Sequence, residues 1–206
     1  MEYNITTVEK AKETLMKIKS NWPGIQLENI DYSKFYFILE HITTNMDNCK
    51  QIKLSGLKAI KELVEEPKNE FIKFCINGSC KNKNEIEKII EYYKKYNNKI
   101  SAFLSYEDGK EQYEDSLEKY PEMFRKGHFY LNSKAMKEWN EKSKAYKVIA
   151  KAKYEEIDFN VIQEKDIAIK LADNLRKKIN NEKIKYCIVE IKNTIEPNRL
   201  CIEEIR

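Results

Sequence analysis

A chain of 206 residues can bury a substantial core as one domain, 1–206, without disulfide or metal staples. Its 38 lysines and arginines against 34 aspartates and glutamates leave a net charge of +4, too small to single out a partner, and only Arg125, Arg176, Arg199 and Arg206 are arginine, which argues against guanine-reading contacts to DNA. No stretch reaches the roughly 20 apolar residues of a membrane span, and the opening MEYNITTVEK lacks the basic start and apolar middle of an export leader, so a cytoplasmic location and no membrane partner are expected.

Thr6-Thr7-Val8-Glu9 has the form of a capping box, and Val8, Ala11, Leu15 and Ile18 recur at helical spacing until Trp22-Pro23-Gly24. The pattern predicts a first amphipathic helix. Asp31 or Ser33 is placed to cap a second, with Phe35, Ile38, Leu39, Ile42 and Met46 as its stripe. Ser55 is placed to cap a third, carrying Leu57, Ile60, Leu63 and Val64 before Pro67. The N-terminal third thus reads as helical, and a division into a helical subdomain, 1–66, and an α/β subdomain, 70–206, would fall between Val64 and Glu70.

Beyond Glu70 the texture becomes mixed. FIKFCI reads as a strand ended by Asn77-Gly78-Ser79, Asn84 as the cap of a helix with Ile86, Ile89, Ile90 and Tyr93, and Ile100 to Ser105 as a second strand before an Asp108-Gly109 turn. A helix is expected around Tyr113 and Leu117 up to Pro121, a short strand at Phe129-Tyr130-Leu131, a helix capped by Ser133 with Ala135, Met136 and Trp139, and a strand from Tyr146 to Tyr154. Ile167, Leu171, Leu175 and Ile179 mark a last helix, and Ile184 to Ile191 and Leu200 to Ile205 two strands around a Glu196-Pro197-Asn198 turn. The expected class is α+β: a helical N-terminal third, then a mixed, mainly antiparallel sheet with packed helices and a C-terminal β-hairpin.

Chemistry-bearing residues are dispersed. His41 and His128 lie in different segments, and Cys75 and Cys80 have no second Cys or His pair at finger spacing, so no metal site is expected. The five cysteines (Cys49, Cys75, Cys80, Cys187, Cys201) are an odd number, mostly in apolar surroundings, and are expected to be reduced. No phosphate-binding glycine loop, nucleophile elbow or zinc-protease motif is present, and no cofactor is expected. Glu190 and Lys192 form the E-x-K half of a metal-dependent nuclease strand, with Asp158 as the acidic partner, or simply the solvated face of a lysine- and glutamate-rich strand. Tyr92, Tyr93 and Tyr96 cluster between lysines; the helical stripe assigns Tyr93 to the core and leaves Tyr92 and Tyr96 exposed, a pattern suited to a protein interface or to stacking on single-stranded nucleic acid.

Lys126-Gly127-His128-Phe129-Tyr130-Leu131-Asn132, followed by Ala135, Met136 and Trp139, resembles the G-x-F-Y-L-T segment and A-x-x-W helix of small bacterial ADP-ribosyltransferase-like proteins. Ile184 to Val189 is similar to a late core strand of that group. The resemblance covers about a third of the chain and implies an NAD-binding cleft beside Tyr130, with His128 nearby. The nearest counterpart of the family's early His-Gly or Arg is Asn77-Gly78-Ser79, and no residue is assigned as the catalytic glutamate, Glu182 and Glu190 being the neighbouring carboxylates. A strand followed by a capped helix with a core tryptophan accounts for the same residues without catalysis.

Three readings stand. The first is a cytoplasmic protein acting by macromolecular binding, an inhibitor or regulator encoded by a phage or mobile element in a low-GC host, with a protein partner met by Tyr92 and Tyr96. The second is an ADP-ribosyltransferase-like enzyme, with a pocket uniting His128, Tyr130, Ser79 and a carboxylate. The third acts on nucleic acid, as a binder through lysine-rich faces or as a nuclease through Glu190 and Lys192.

Overall fold

The computed structural model describes residues 1–66, 68–113, 116–125, 128–159 and 164–205. In chain order the elements are β1 (Glu2–Tyr3), α1 (Val8–Asn21), β2 (Tyr36–Asn45), α2 (Lys50–Ser55), α3 (Ile60–Glu65), α4 (Glu70–Gly78), α5 (Lys83–Tyr96), β3 (Ile100–Phe103) and α6 (Tyr106–Gly109). There follow α7 (Glu122–Arg125), α8 (Ser133–Lys142), β4 (Lys144–Lys153), β5 (Ile157–Asp158), α9 (Glu164–Ile179), β6 (Ile188–Ile191) and β7 (Leu200–Glu204). The class is α+β. The sheet has the order β5-β6-β3-β2-β4-β7, with β1 parallel to β2 and antiparallel pairing at β2–β3 and β5–β6.

The chain divides into two compact units, each assembled from three stretches: residues 1–41, 101–112 and 149–192 form the first, and 42–100, 113–148 and 193–206 the second. The 64–70 segment lies inside the second unit.

In the first unit α1 starts where Thr7 accepts a hydrogen bond from the Lys10 amide, and Ala11, Thr14 and Ile18 turn inward. This helix packs against α9. Beneath them an aromatic chain runs from Trp22 through Phe35 and Tyr32 to Tyr3 and Phe37, with successive ring centroids 5.2–5.8 Å apart. The buried Tyr3 hydroxyl donates to the Leu171 carbonyl at 2.7 Å, so its polar end is satisfied. In the second unit Ile72, Cys75, Tyr93, Met123 and Phe129 form a buried cluster. Fully buried Trp139 of α8 lies against Phe71, Phe74 and Phe124.

Two elements differ in type from the sequence expectation. The predicted second helix is strand β2: Phe37 and Leu39 are buried in alternation, and after one break so are Glu40, Ile42 and Thr44. Its β-branched and aromatic residues suit a pleated surface, and this preference overrides a stripe that also matches helical spacing. The N-terminal third is therefore helical only in part. Conversely, FIKFCI is helix α4, begun by Asn69 accepting from the Ile72 amide at 3.1 Å and burying Ile72 and Cys75 three residues apart. The β-α-β arrangement read there is thus α4-α5-β3.

Smaller differences concern extent. Residues near Tyr113 and Leu117 form 3₁₀ turns, Lys110–Tyr113 and Ser116–Glu118, and of the Phe129-Tyr130-Leu131 strand only Leu131 makes a bridge, to Ser79. Pro67, read as the stop of the third helix, lies outside the described residues. Both C-terminal strands are present, but β6 lies between β5 and β3 while β7 lies beside β4, so each takes its own neighbour instead of closing a hairpin. The stretch between them has its own partner: Leu57 and Ile195 exchange backbone hydrogen bonds of 2.9 and 3.0 Å. Gly56 (φ +88°) makes this approach feasible, since a Cβ there would fall 2.4 Å from the Ile195 oxygen.

All five cysteine thiols are free, with Cys49, Cys75 and Cys187 buried and Cys80 and Cys201 exposed. Among the described residues no helix is long and apolar enough to cross a membrane.

Candidate functional site

Helix α5 is defined at its start by a reciprocal capping box: Asn82 accepts from the Glu85 amide at 3.1 Å and the Glu85 carboxylate accepts from the Asn82 amide at 3.0 Å. Ile86, Ile89 and fully buried Tyr93 face the core of the second unit. Tyr92 and Tyr96, four residues apart on the outer side, remain 44% and 58% exposed. Their rings touch at a centroid distance of 5.1 Å.

A second segment completes the surface. The Cys80 amide donates to the Tyr130 carbonyl and the Asn132 amide to the Gly78 carbonyl, both at 2.7 Å, which ties residues 130–132 to the end of α4. The tie places His128 on α5, with its Nδ1 2.6 Å from the Tyr93 hydroxyl and its ring 5.1 Å from the centroids of both Tyr92 and Tyr93 in edge-on contact. Tyr130 is 61% exposed, with the Lys81 ammonium 5.2 Å from its ring centroid. The Lys95 ammonium lies 5.0 Å from that of Tyr96.

The structure therefore brings Tyr92, Tyr96 and His128 into one array, with Tyr130 two residues beyond the histidine. Lys126 and Gly127, which open the ADP-ribosyltransferase-like segment, lie outside the described residues. Asn132, rather than Ser133, caps α8, accepting from the Ala135 amide at 2.9 Å. Ser79 sits beside Leu131 through their bridge.

Glu190 and Lys192 belong to the other unit. Glu190 on β6 stands opposite Asp158 on β5 in register. Lys192 lies just past the strand; its amide donates to the Glu156 carbonyl at 2.8 Å and its ammonium to the Glu155 carbonyl at 3.3 Å. Among the described residues no group of three or more His, Cys, Asp or Glu side chains is placed to hold a metal ion. His41 is on β2, its Nδ1 2.8 Å from the Ser101 carbonyl oxygen.

One polar constellation escaped the sequence reading. Buried Ser105, two residues past β3, donates to Asp108 at 2.5 Å, and the Lys178 ammonium reaches Asp108 at 2.5 Å and Ser105 at 3.0 Å. Beside it the Tyr106 amide donates at 2.7 Å to the buried Glu40 carboxylate, and burial pushes the Cys187 thiol up. The available signal was the inner stripe of α9, where Asn174 and Lys178 continue Ile167 and Leu171. Polar residues on an apolar stripe mark a buried network.

No protein-family model, no characterised protein and no solved structure matches the chain.

Proposed function

We propose that this protein acts in the cytoplasm by binding a protein partner through the surface formed by Tyr92, Tyr96, His128 and Tyr130, as an inhibitor or regulator carried by a phage or mobile element. The observation that supports it most is the exposure of Tyr92 and Tyr96 on the flank of a helix whose apolar stripe is packed through buried Tyr93 and partly buried Ile86 and Ile89. Tyrosine offers a large amphipathic contact area at small entropic cost, and exposed tyrosine pairs are suited to interface centres. Here the Tyr92 ring is held edge-on by His128 and buried Tyr93, and Tyr96 packs on Tyr92, which favours a preorganised pair. Lys81 and Lys95 over the outer rings favour a partner with an acidic rim.

The test is affinity capture from host lysate with the wild-type chain and with a Tyr92→Ala, Tyr96→Ala double variant, at low and high salt. The reading requires a stoichiometric protein retained by the wild type in high salt and lost by the variant. Equal retention by both would discard this surface, and a salt-labile nucleic acid in place of a protein would favour the nucleic-acid reading.

A second reading, the ADP-ribosyltransferase-like one, draws support from the pairing of Ser79 with Leu131. The bridge sets Asn77-Gly78-Ser79 beside the Tyr130 segment, the two pieces that the resemblance requires near one another. Turnover of NAD by the wild type and its loss in Tyr130→Ala is the corresponding assay, and an absence of turnover rejects it.

A further inference from the structure

We infer that the first unit carries a separate seat for an organic cation, a guanidinium or alkylammonium group, in the cleft along the outer face of α9. The cleft has a volume of ≈ 390 Å³ and is lined by Glu28, Asp166, Lys170, Asp173, Arg176 and Tyr186. Asp166, Lys170 and Asp173 follow one another at helical spacings of four and three, so α9 presents them as a single row. Two of the three carboxylates are already engaged: Glu28 takes Arg176 at 2.5 Å and Asp173 takes Lys177 at 2.6 Å. Asp166 makes no ion pair among the described residues.

The lining also includes an aromatic ring whose backbone is anchored. Tyr186 is 51% exposed, yet its backbone is fixed, with its carbonyl accepting at 2.8 Å from Nδ2 of fully buried Asn174. The next carbonyl, of Cys187, accepts from the Leu104 amide at 2.7 Å. Over this ring stands the Lys170 ammonium, 4.3 Å from the centroid. The seat thus holds a cation of its own, a flexible side chain from the same helix. A guanidinium is planar and more weakly hydrated than an ammonium, so it stacks better on Tyr186 while Asp166 accepts its paired N–H groups. Among the described residues Lys170 makes no ion pair, and its contact with the ring is what an incoming cation would have to displace. Near two of the lining side chains, though not itself part of the lining, is a polar group with unmet hydrogen-bonding capacity. The Tyr32 hydroxyl is buried without a hydrogen-bond partner and is within electrostatic reach of Glu28 and Arg176, both lining residues.

The experiment is a titration of the full chain, followed by amide chemical shifts, with agmatine as a free guanidinium and with an arginine-containing peptide; the tighter of the two tells a metabolite from a protein side chain. Saturable shifts at residues 166, 170 and 186 are expected. Asp166→Asn should weaken binding about tenfold and Tyr186→Leu about fivefold. Lys170→Met, which removes the resident competitor, should tighten it several-fold. Unsaturated, dispersed shifts in the wild type overturn the assignment, and so does an unchanged affinity in a Tyr186→Leu protein whose melting temperature is intact.

Discussion

The Lys178 ammonium lies 2.5 Å from Asp108 Oδ2, and the two side chains are only 10% and 12% exposed. Burying both charges costs several kcal/mol each, which a single close contact offsets only when further hydrogen bonds complete it. Ser105 supplies them, donating to Asp108 and accepting from Lys178. Removing one partner strands the other. Lys178→Met or Asp108→Asn alone should therefore lower unfolding stability by about 3–5 kcal/mol, while Lys178→Met with Asp108→Leu should recover much of the loss. Urea unfolding of the three variants measures this. A double variant no more stable than either single would refute the pairing argument.

The approach of α4 to α8 rests on a missing side chain. A Cβ on Gly78 would stand 2.6 Å from the Ala135 Cβ and 3.3 Å from Leu131 Cδ2. Gly78→Ala should thus destabilise the chain by about 1–3 kcal/mol, although alanine ordinarily favours a helix over glycine. Adding Ala135→Gly should return part of that stability by clearing the contact. The readout is the urea midpoint at constant m-value.

How much of this was legible depended on whether the determining contacts were local. Thr7, Asn132 and the Asn82–Glu85 pair sit within three residues of the helix starts they define, so α1, α5 and α8 could be placed from pattern to within a residue or two. Strand β4 alternates, as expected of a strand from Tyr146 to Tyr154, and the face it buries carries Tyr146, Val148, Ala150 and Ala152. By contrast β2 and α4 are short apolar runs compatible with either period, and neighbours distant in sequence decide between them. The same distinction holds at the candidate surface. Exposure of Tyr92 and Tyr96 follows from the stripe of α5, but the docking of His128 on it depends on ties between residues 78–80 and 130–132, about fifty positions apart. The Lys178 network joins residues some seventy positions apart and leaves only its polar interruption of an apolar stripe.

Alkaline pH should weaken the fold. Burial pushes up the thiols of Cys49, Cys75 and Cys187 and the phenols of Tyr3 and Tyr32. Each raised group favours the folded state while neutral, so its contribution is complete below the unfolded-chain value and is lost as pH rises through the folded one. The unfolded values are about 8.5 for Cys and about 10 for Tyr. Among these groups, stability should start to fall above about pH 8.5, first through the thiols and then more steeply through the phenols. Thermal melts between pH 7 and 11 measure it. The exposed Cys80 and Cys201 should react with a thiol reagent in the native protein, and the other three only on unfolding.

Tyr92, Tyr93 and Tyr96 share one helix and one chemistry but should separate on substitution. Tyr93 is fully buried, touches Tyr92 and His128, and holds the His128 imidazole at 2.6 Å. Tyr93→Ala should cost about 3–5 kcal/mol as a large cavity, and Tyr93→Phe about 1 kcal/mol through its hydrogen bond. Tyr92→Ala and Tyr96→Ala leave the core intact and should each stay within about 0.5 kcal/mol. If the tyrosine surface is an interface, their cost appears in the complex instead, at about 1–2 kcal/mol or more each, a loss of roughly tenfold in affinity. Tyr130→Ala belongs with the exposed pair, because its ring meets the Lys81 side chain on the surface. Chemical denaturation and binding must be measured on the same preparations, since only their combination separates packing from recognition. Loss of stability and affinity together in Tyr92→Ala and Tyr96→Ala would make these residues part of the core, and the proposed surface would have to be abandoned.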